Sequence, residues 1–376
     1  MPDLITRLTA AAETRDSTDA ERWRHGDAET ERGLRVPASP RRRVDHRPAW
    51  LQSFLDDGPI EVSVCIVNWN CRELLRACLA SLHDQPQGVT LETIVVDNAS
   101  RDGAADMVAR EFPEVILIRN SVNDGFARAN NQAAERARGR YLFFLNNDTV
   151  VPAETLGRLV DFAEAHPQIG MIGPRLCDAD GQYQVSYRQR PTLAALLHRT
   201  YLLRWTGVLR RAYQRYRRDH FDPHTIRPVD VLMGAAMFLP RHVFLRCGQW
   251  DEDFTFGGED MEFSVRVGRQ FPVVYYPSVE ITHYGRVSTR QNVAYTSSNV
   301  AAGFVRYLRK TGCRTWALWL YKMAVTLDAP LQLIEKCVQY LWRRLRGRRK
   351  KAEKSLLAAR GLYHFLIQGL LPLWQA

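Results

Sequence analysis

From residue 61 onward the chain alternates short apolar runs with stretches of helical period. Residues 62–67 (VSVCIV), 91–96 (LETIVV), 115–119 (VILIR) and 141–145 (YLFFL) are short and mostly β-branched, leucine or aromatic, the composition of buried strands. Between them, 73–83 sets Leu74, Leu75, Cys78, Leu79 and Leu82 at helical spacing, a second helix is predicted from about 103 to 111, and a third runs through Asn130 and Asn131 to 137. Strand and helix recur in turn, which predicts an α/β fold with a parallel sheet and right-handed crossovers. Later candidates are strands at 170–173, 229–240, 273–276 and 279–282, and a helix opening at Glu259-Asp260. Beyond 299 the pattern is helical.

Each of the first four strands runs into polar or flexible residues: Asn68, Asp97, Gly125 and Asp148. In an open α/β sheet these ends share one rim, where ligands bind. Neither GxGxxG nor GxxxxGK[ST] occurs, which disfavours a dinucleotide-dependent dehydrogenase or a P-loop enzyme and favours a nucleotide whose phosphates are bridged by metal. In YLFFLNNDTV, the Asp148 carboxylate beside Asn146 and Asn147 suits an oxygen-seeking divalent cation, or else closes the strand as an Asn/Asp turn. Asp97 to Ser100 supplies N-cap chemistry for the second helix. Glu259-Asp260 follows a Gly-Gly pair; carboxylates there either satisfy helix-start amides or serve as acid–base groups.

Composition narrows this picture. The 376 residues, 45% hydrophobic, suffice for a large catalytic domain with an appendage. A net charge of +11 and pI ≈ 9.5 predict an anionic partner. Seven cysteines without CxxC spacing argue against zinc and for a reducing compartment. The first thirty residues lack an apolar h-region, and no run of about eighteen uncharged apolar residues is found, so neither secretion nor a membrane span is expected.

The motifs VSVCIVNWN (62–70), IVVDNAS (94–100), NDGFARANN (123–131) and FLNNDTVV (144–151) together resemble the family 2 glycosyltransferases, in particular the bacterial rhamnosyltransferase-like branch that extends cell-surface glycans. That resemblance implies a GT-A fold, a nucleotide-diphosphate sugar donor, a divalent metal (Mg2+ or Mn2+) and single-displacement, inverting transfer. It implies a donor-binding set of Asn68, Asp97, Asn98, Gly125, Phe126, Asn130, Asn131 and Asn147, with Asp97 at the base and Gly125 allowing close backbone approach. It implies Asp148 and His283 as metal ligands, Asp260 as base and Glu259 as its neighbour orienting it or the acceptor. Asparagine at 146 and 147 departs from the DxD pattern and leaves one local carboxylate. A histidine after a strand also has a purely structural use.

The expected organisation is a mobile charged extension over 1–58 with a short docking helix near 47–56, a GT-A domain over 59–298, and a helical basic and aromatic region over 299–376. Basic and aromatic residues from His198 to His220 suit a solvated insertion, nucleic acid, or an anionic lipid or acceptor. A loop over 285–292 with Arg286 and Arg290 is expected to close on the diphosphate. The C-terminal pattern (Trp316, Trp319 and Tyr321 beside Lys322, then RRLRGRRKKAEK at 343–354) fits a helix at an anionic membrane surface or a homodimer interface. These features lead to a cytoplasmic protein peripheral to the inner face of the cell membrane, and the resemblance implies a polyprenyl-linked or glycan acceptor and dTDP-L-rhamnose as donor. A UDP-hexose or UDP-galactofuranose donor is the alternative; a basic nucleic-acid-binding protein is the alternative of another class.

Overall fold

A computed structural model describes residues 60–217, 223–285 and 293–376. The expected N-terminal extension, its docking helix and the arginine-bearing loop at 286–292 lie outside the described residues.

The chain begins with β1 (Val62–Asn68), α1 (Arg72–His83), β2 (Leu91–Asn98), α2 (Ala104–Glu111), β3 (Ile116–Asn120), α3 (Phe126–Arg136) and β4 (Tyr141–Asn146). After β5 (Thr149–Val150) come α4 (Thr155–Ala165), β6 (Met171–Cys177), β7 (Tyr183–Gln184) and β8 (Tyr187–Arg188). Three short helices follow, α5 (Leu193–Leu197), α6 (Tyr201–Thr206) and α7 (Arg210–Arg217), then β9 (Arg227–Pro228), β10 (Val231–Leu232), β11 (Ala236–Pro240), α8 (Arg241–Arg246), α9 (Glu259–Val267) and β12 (Val273–His283). The chain closes with α10 (Val293–Lys310), α11 (Thr315–Leu345), α12 (Arg349–His364), a π-helical turn (Phe365–Gly369) and α13 (Leu370–Gln375).

The main sheet has the order β3-β2-β1-β4-β11-β6-β12-β5. Its first four strands are parallel, as the alternation predicts, but β11 runs antiparallel to both β4 and β6, so the sheet is mixed. Strand side chains alternate between two cores. Val62, Val64, Ile66, Phe143 and Leu145 meet α1, α2 and α4 on one face. Cys65, Ile94, Val96, Leu142 and Phe144 meet α3, α8, Trp250 and α9 on the other.

Two strand expectations are corrected. The run 229–240 breaks into β10 and β11, because Gly234 and Ala235 form a turn against Asp260 instead of continuing the ladder. The runs 273–276 and 279–282 are one strand, β12, with a register shift between Tyr276 and Glu280.

A third core joins α5, α9, α10, α11 and the C-terminal turn through Leu196, Val265, Phe304, Tyr307, Tyr321, Phe365 and Leu373. Residue 298, where the expected organisation puts a boundary, lies within α10, which packs on α9 in this core. The run from Arg349 to Gln375 is one continuous helix, long and apolar enough by length and composition to cross a membrane. Arg360 and His364 interrupt it as a sequence, which is why an uncharged-run criterion passes over it. One side of it docks on α10 and α11: Gly361 meets Ser297, Lys322 Nζ donates to the Trp374 carbonyl at 2.9 Å, and Trp319 meets Trp374 edge-on at 5.0 Å.

Candidate active site

At the carboxyl ends of β1, β2 and β3 lies a cavity of about 680 Å³, within the range of ligand pockets. Its walls are Trp69 and Asn70 after β1, Ala99, Ser100 and Arg101 after β2, and Asn120 to Asn123 after β3. The residues singled out from sequence stand one position behind this wall and hold it. Asn68 Nδ2 donates to Asp97 Oδ1 at 3.0 Å, the Ser100 N–H donates to Asp97 Oδ2 at 3.0 Å, and the Asn70 N–H donates to Ser100 Oγ at 2.9 Å. Asn70 and Ala99 both carry positive φ, 54° and 59°, and for Ala99 this backbone costs ~1 kcal/mol or more. Strain of this kind, paid for by the Asp97 bonds, is characteristic of binding turns. The helix caps come from elsewhere: Asp102 accepts from the Arg72 N–H at 2.8 Å and the Ala104 N–H at 3.1 Å, replacing the cap expected from Asp97 to Ser100.

The Gly125 loop is braced from inside. Asn98 donates to the Gly125 carbonyl at 3.0 Å and accepts from Asn120 at 2.8 Å. Gly125 has φ 85°, and a Cβ there would come 2.7 Å from the Thr255 carbonyl oxygen, so its close approach is to the chain itself. Asn130 donates to the Phe126 carbonyl at 3.0 Å, and Phe126 meets Trp250 edge-on at 5.6 Å. Asn131 clamps Trp250 by its backbone, accepting from its N–H at 3.0 Å and donating to its carbonyl at 2.9 Å. Asn98, Asn130 and Asn131 are buried and turned toward these partners, shaping the loop from behind.

Asp148 sits just past β4. Its Oδ1 lies 3.3 Å from His283 Nε2, at the end of β12, and its carbonyl accepts from the Tyr284 N–H at 2.9 Å. Gln184 holds the imidazole from behind: its Oε1 is 2.9 Å from His283 Nδ1 and its Nε2 donates to the His283 carbonyl at 2.6 Å. An Nδ1–H donated to Gln184 leaves the Nε2 lone pair facing Asp148, a tautomer suited to ligation. Asn147 donates to Asn68 Oδ1 at 2.6 Å, tying this corner to the nucleoside-sized pocket. No cluster of three or more His, Cys, Asp or Glu occurs among the described residues. One oxygen and one nitrogen donor, with remaining positions left to phosphate oxygens and water, fit Mn2+ or Mg2+.

Opposite, α9 opens at Glu259 after Gly258, whose φ is 102°. Asp260 Oδ2 accepts from the Gly234 N–H at 3.3 Å and Oδ1 from the Met261 N–H at 2.9 Å. One residue on, the Ala235 carbonyl accepts from the Asn146 N–H at 2.9 Å. The Gly234-Ala235 turn thus touches Asp260 on one side and, on the other, the end of β4 two residues before Asp148. Burial pushes the Asp260 carboxyl up, opposed by the charge of Arg188 and by the backbone donors. Burial, then the Asp260 charge, pushes Glu259 up, and its Oε2 has no partner among the described residues.

Sequence reasoning missed Arg188, Gln184 and Tyr295. Arg188, opposite Val231 across β8 and β10, donates to the Tyr216 hydroxyl at 3.0 Å. Tyr295 of α10 meets Trp69 edge-on at 5.2 Å and donates to the Thr255 carbonyl at 3.3 Å. Each reaches the site across more than 40 residues of chain, and only an isolated polar or aromatic residue marks it in sequence.

A mixed α/β sheet of this order, with a cavity at the carboxyl ends of its parallel strands, is a GT-A architecture, and the protein is a glycosyltransferase. Residues 63–227 match the model of Glycosyl transferase family 2, and this segment is a domain of that family. Asp260 and His283 lie beyond it. The chain is 28% identical over 240 residues to the N-acetylglucosaminyl-diphospho-decaprenol L-rhamnosyltransferase of Mycobacterium tuberculosis, covering 59% of this chain and 74% of that one. It is 27% identical over 242 residues to the O-antigen biosynthesis protein RfbC of Myxococcus xanthus, 62% of this chain and 18% of that one. Among solved structures, the mannosyltransferase PcManGT from Pyrobaculum calidifontis in complex with GDP-Man and Mn2+ matches with TM-score 0.47 and 17% identity, over 87% of this chain and 93% of that one.

Proposed function

We propose that the protein is an inverting glycosyltransferase that moves L-rhamnose from dTDP-L-rhamnose to a polyprenyl-linked saccharide at the inner face of the cell membrane. The observation that supports this reading is the Gly234-Ala235 turn, which hydrogen-bonds Asp260 through Gly234 and, through Ala235, the strand end that leads into the Asp148-His283 pair. The cavity beside Trp69 and Ser100 receives the nucleoside, and Asp97 keeps its wall in shape. Asp148 and His283 would hold the divalent metal, which would supply positive charge to the departing diphosphate. Asp260 accepts the proton of the acceptor hydroxyl as that oxygen bonds the anomeric carbon and the bond to the diphosphate breaks. Glu259, whose carboxyl burial pushes up, orients the acceptor or Asp260. The rhamnose assignment and the lipid-linked acceptor rest on the mycobacterial relative, and the membrane face on the exposed apolar residues of α11.

A panel of dTDP-rhamnose, UDP-hexoses and UDP-galactofuranose, each with and without Mn2+, tests the donor. Metal-dependent turnover of dTDP-rhamnose is expected; turnover of a UDP-sugar instead reassigns the donor. In the same assay Asp260→Asn should lower kcat by about 10² to 10⁴ with donor affinity unchanged, and equal loss of both would remove Asp260 from the role of base.

A further inference from the structure

A second cavity, about 610 Å³, lies among α5, the Arg199-Thr200 segment that follows it, α10, α11 and α12, away from the nucleoside pocket. Its lining is mainly apolar and includes Leu196, Val300, Phe304, Val325, Leu357 and Phe365, yet two cations, Arg199 and Lys354, also reach it. Asp328, the carboxylate in the wall, is 4% exposed and occupied: it accepts from the Tyr201 N–H at 2.7 Å and from Gln332. Arg199 rests 4.7 Å over the Phe304 ring. The cavity therefore combines an apolar interior with positive charge, complementary to a chain of hydrocarbon ending in phosphate.

Its position relates it to the catalytic rim. The α10 residues Thr296 and Val300 line the cavity, while Tyr295 of the same helix bonds Thr255 and meets Trp69. Gly303 lets α10 seat on the Gly257 carbonyl, two residues before Glu259. One helix, about 10–12 Å across, thus separates the cavity from the loop leading into the proposed base. Leu327 and Leu331 of α11, one of the helices that line the cavity, expose apolar side chains.

We propose that this cavity receives the first isoprenoid units of the acceptor's polyprenyl anchor, with Arg199 and Lys354 meeting its diphosphate, so that the attached saccharide extends past α10 to Asp260. This rests on the acceptor class proposed above. Farnesyl diphosphate is the probe, added to the full chain with nucleotide and Mn2+ already saturating, and read as a shift in Tm. It should stabilise the wild type, whereas inorganic diphosphate and phosphatidylglycerol in mixed micelles should not. Ala358→Trp, which fills the cavity from α12, should weaken farnesyl diphosphate at least tenfold with the nucleotide-plus-Mn2+ shift retained; Val325→Phe serves the same purpose from α11. Equal stabilisation by inorganic diphosphate or by phosphatidylglycerol, no shift, or unchanged affinity in both filled variants would overturn the assignment. Absence of the nucleotide-plus-Mn2+ shift itself would instead overturn the glycosyl-transfer reading.

Discussion

Glu259 and Gln184 show how single side chains set the chemistry here. Glu259 keeps its proton more tightly in the folded chain than in the unfolded one, because burial and the Asp260 charge penalise its anion. Its contribution to stability is therefore full below the ordinary carboxylate range and is lost as pH rises through the raised folded-state value. Glu259→Gln removes that loss. Thermal unfolding should show the variant more stable than wild type by ~1–3 kcal/mol at pH about 8 and equal to it at pH about 4; a constant difference across pH would assign Glu259 a purely structural contact. Gln184 acts through another residue, fixing the ring of His283. Gln184→Ala should weaken Mn2+-dependent nucleotide binding by about 10- to 100-fold, measured by calorimetry, while metal-independent binding stays constant.

At the scale of elements, α10 is the piece on which the two halves of the protein depend. A Cβ at Gly303 would overlap the Gly257 carbonyl oxygen, and Lys310, at the far end of the same helix, pairs with Asp251 and, at 2.6 Å, with Asp253. Gly303→Ala must push α10 off the 251–258 segment, so a loss of about 1–3 kcal/mol is expected in denaturant unfolding, with kcat falling more than donor affinity. The elements also show which parts of the site were legible. β1 to β4 carry mostly apolar runs that end in polar residues such as Asn68, Asp97 and Asn146, so the strands and their polar ends could be read directly. Gly234 could not: within VDVLMGAAMFLP it reads as a small residue in a strand, and only the Asp260 side chain waiting beside it makes a turn there. Asn98, Asn130 and Asn131, expected to contact the donor, bond to neighbouring groups of the chain, and a side-chain amide serves a ligand and a neighbouring backbone equally well.

On the scale of the whole molecule, α11 presents Trp316, Trp319, Met323, Leu327, Leu331, Ile334, Val338, Leu341 and Leu345 at three- and four-residue spacing, all exposed, Leu345 to 88%. At 1.5 Å per residue this stripe runs roughly 45 Å, longer than solitary surface leucines would explain. The basic run from Arg343 to Lys354 flanks its end, each charge adding about 1 kcal/mol at an anionic surface. Ile334→Glu with Val338→Glu should reduce sedimentation with phosphatidylglycerol vesicles at least tenfold and leave the Tm unchanged; undiminished sedimentation, or a concentration-dependent dimer dissolved by the pair, would point to a protein interface.

By itself the sequence determined the alternation of strands and helices, the polar strand ends and the acidic start of α9, because hydrophobic period and residue chemistry are local properties of the chain. Only the tertiary structure decided which polar groups face the cavity and which brace it, that Gln184 and Arg188 join the site, and that α10 stands between two cavities. Those outcomes depend on partners tens to more than a hundred residues away, as Trp250 is to Asn131, and a hydrogen bond across that distance leaves no period in the sequence to be read.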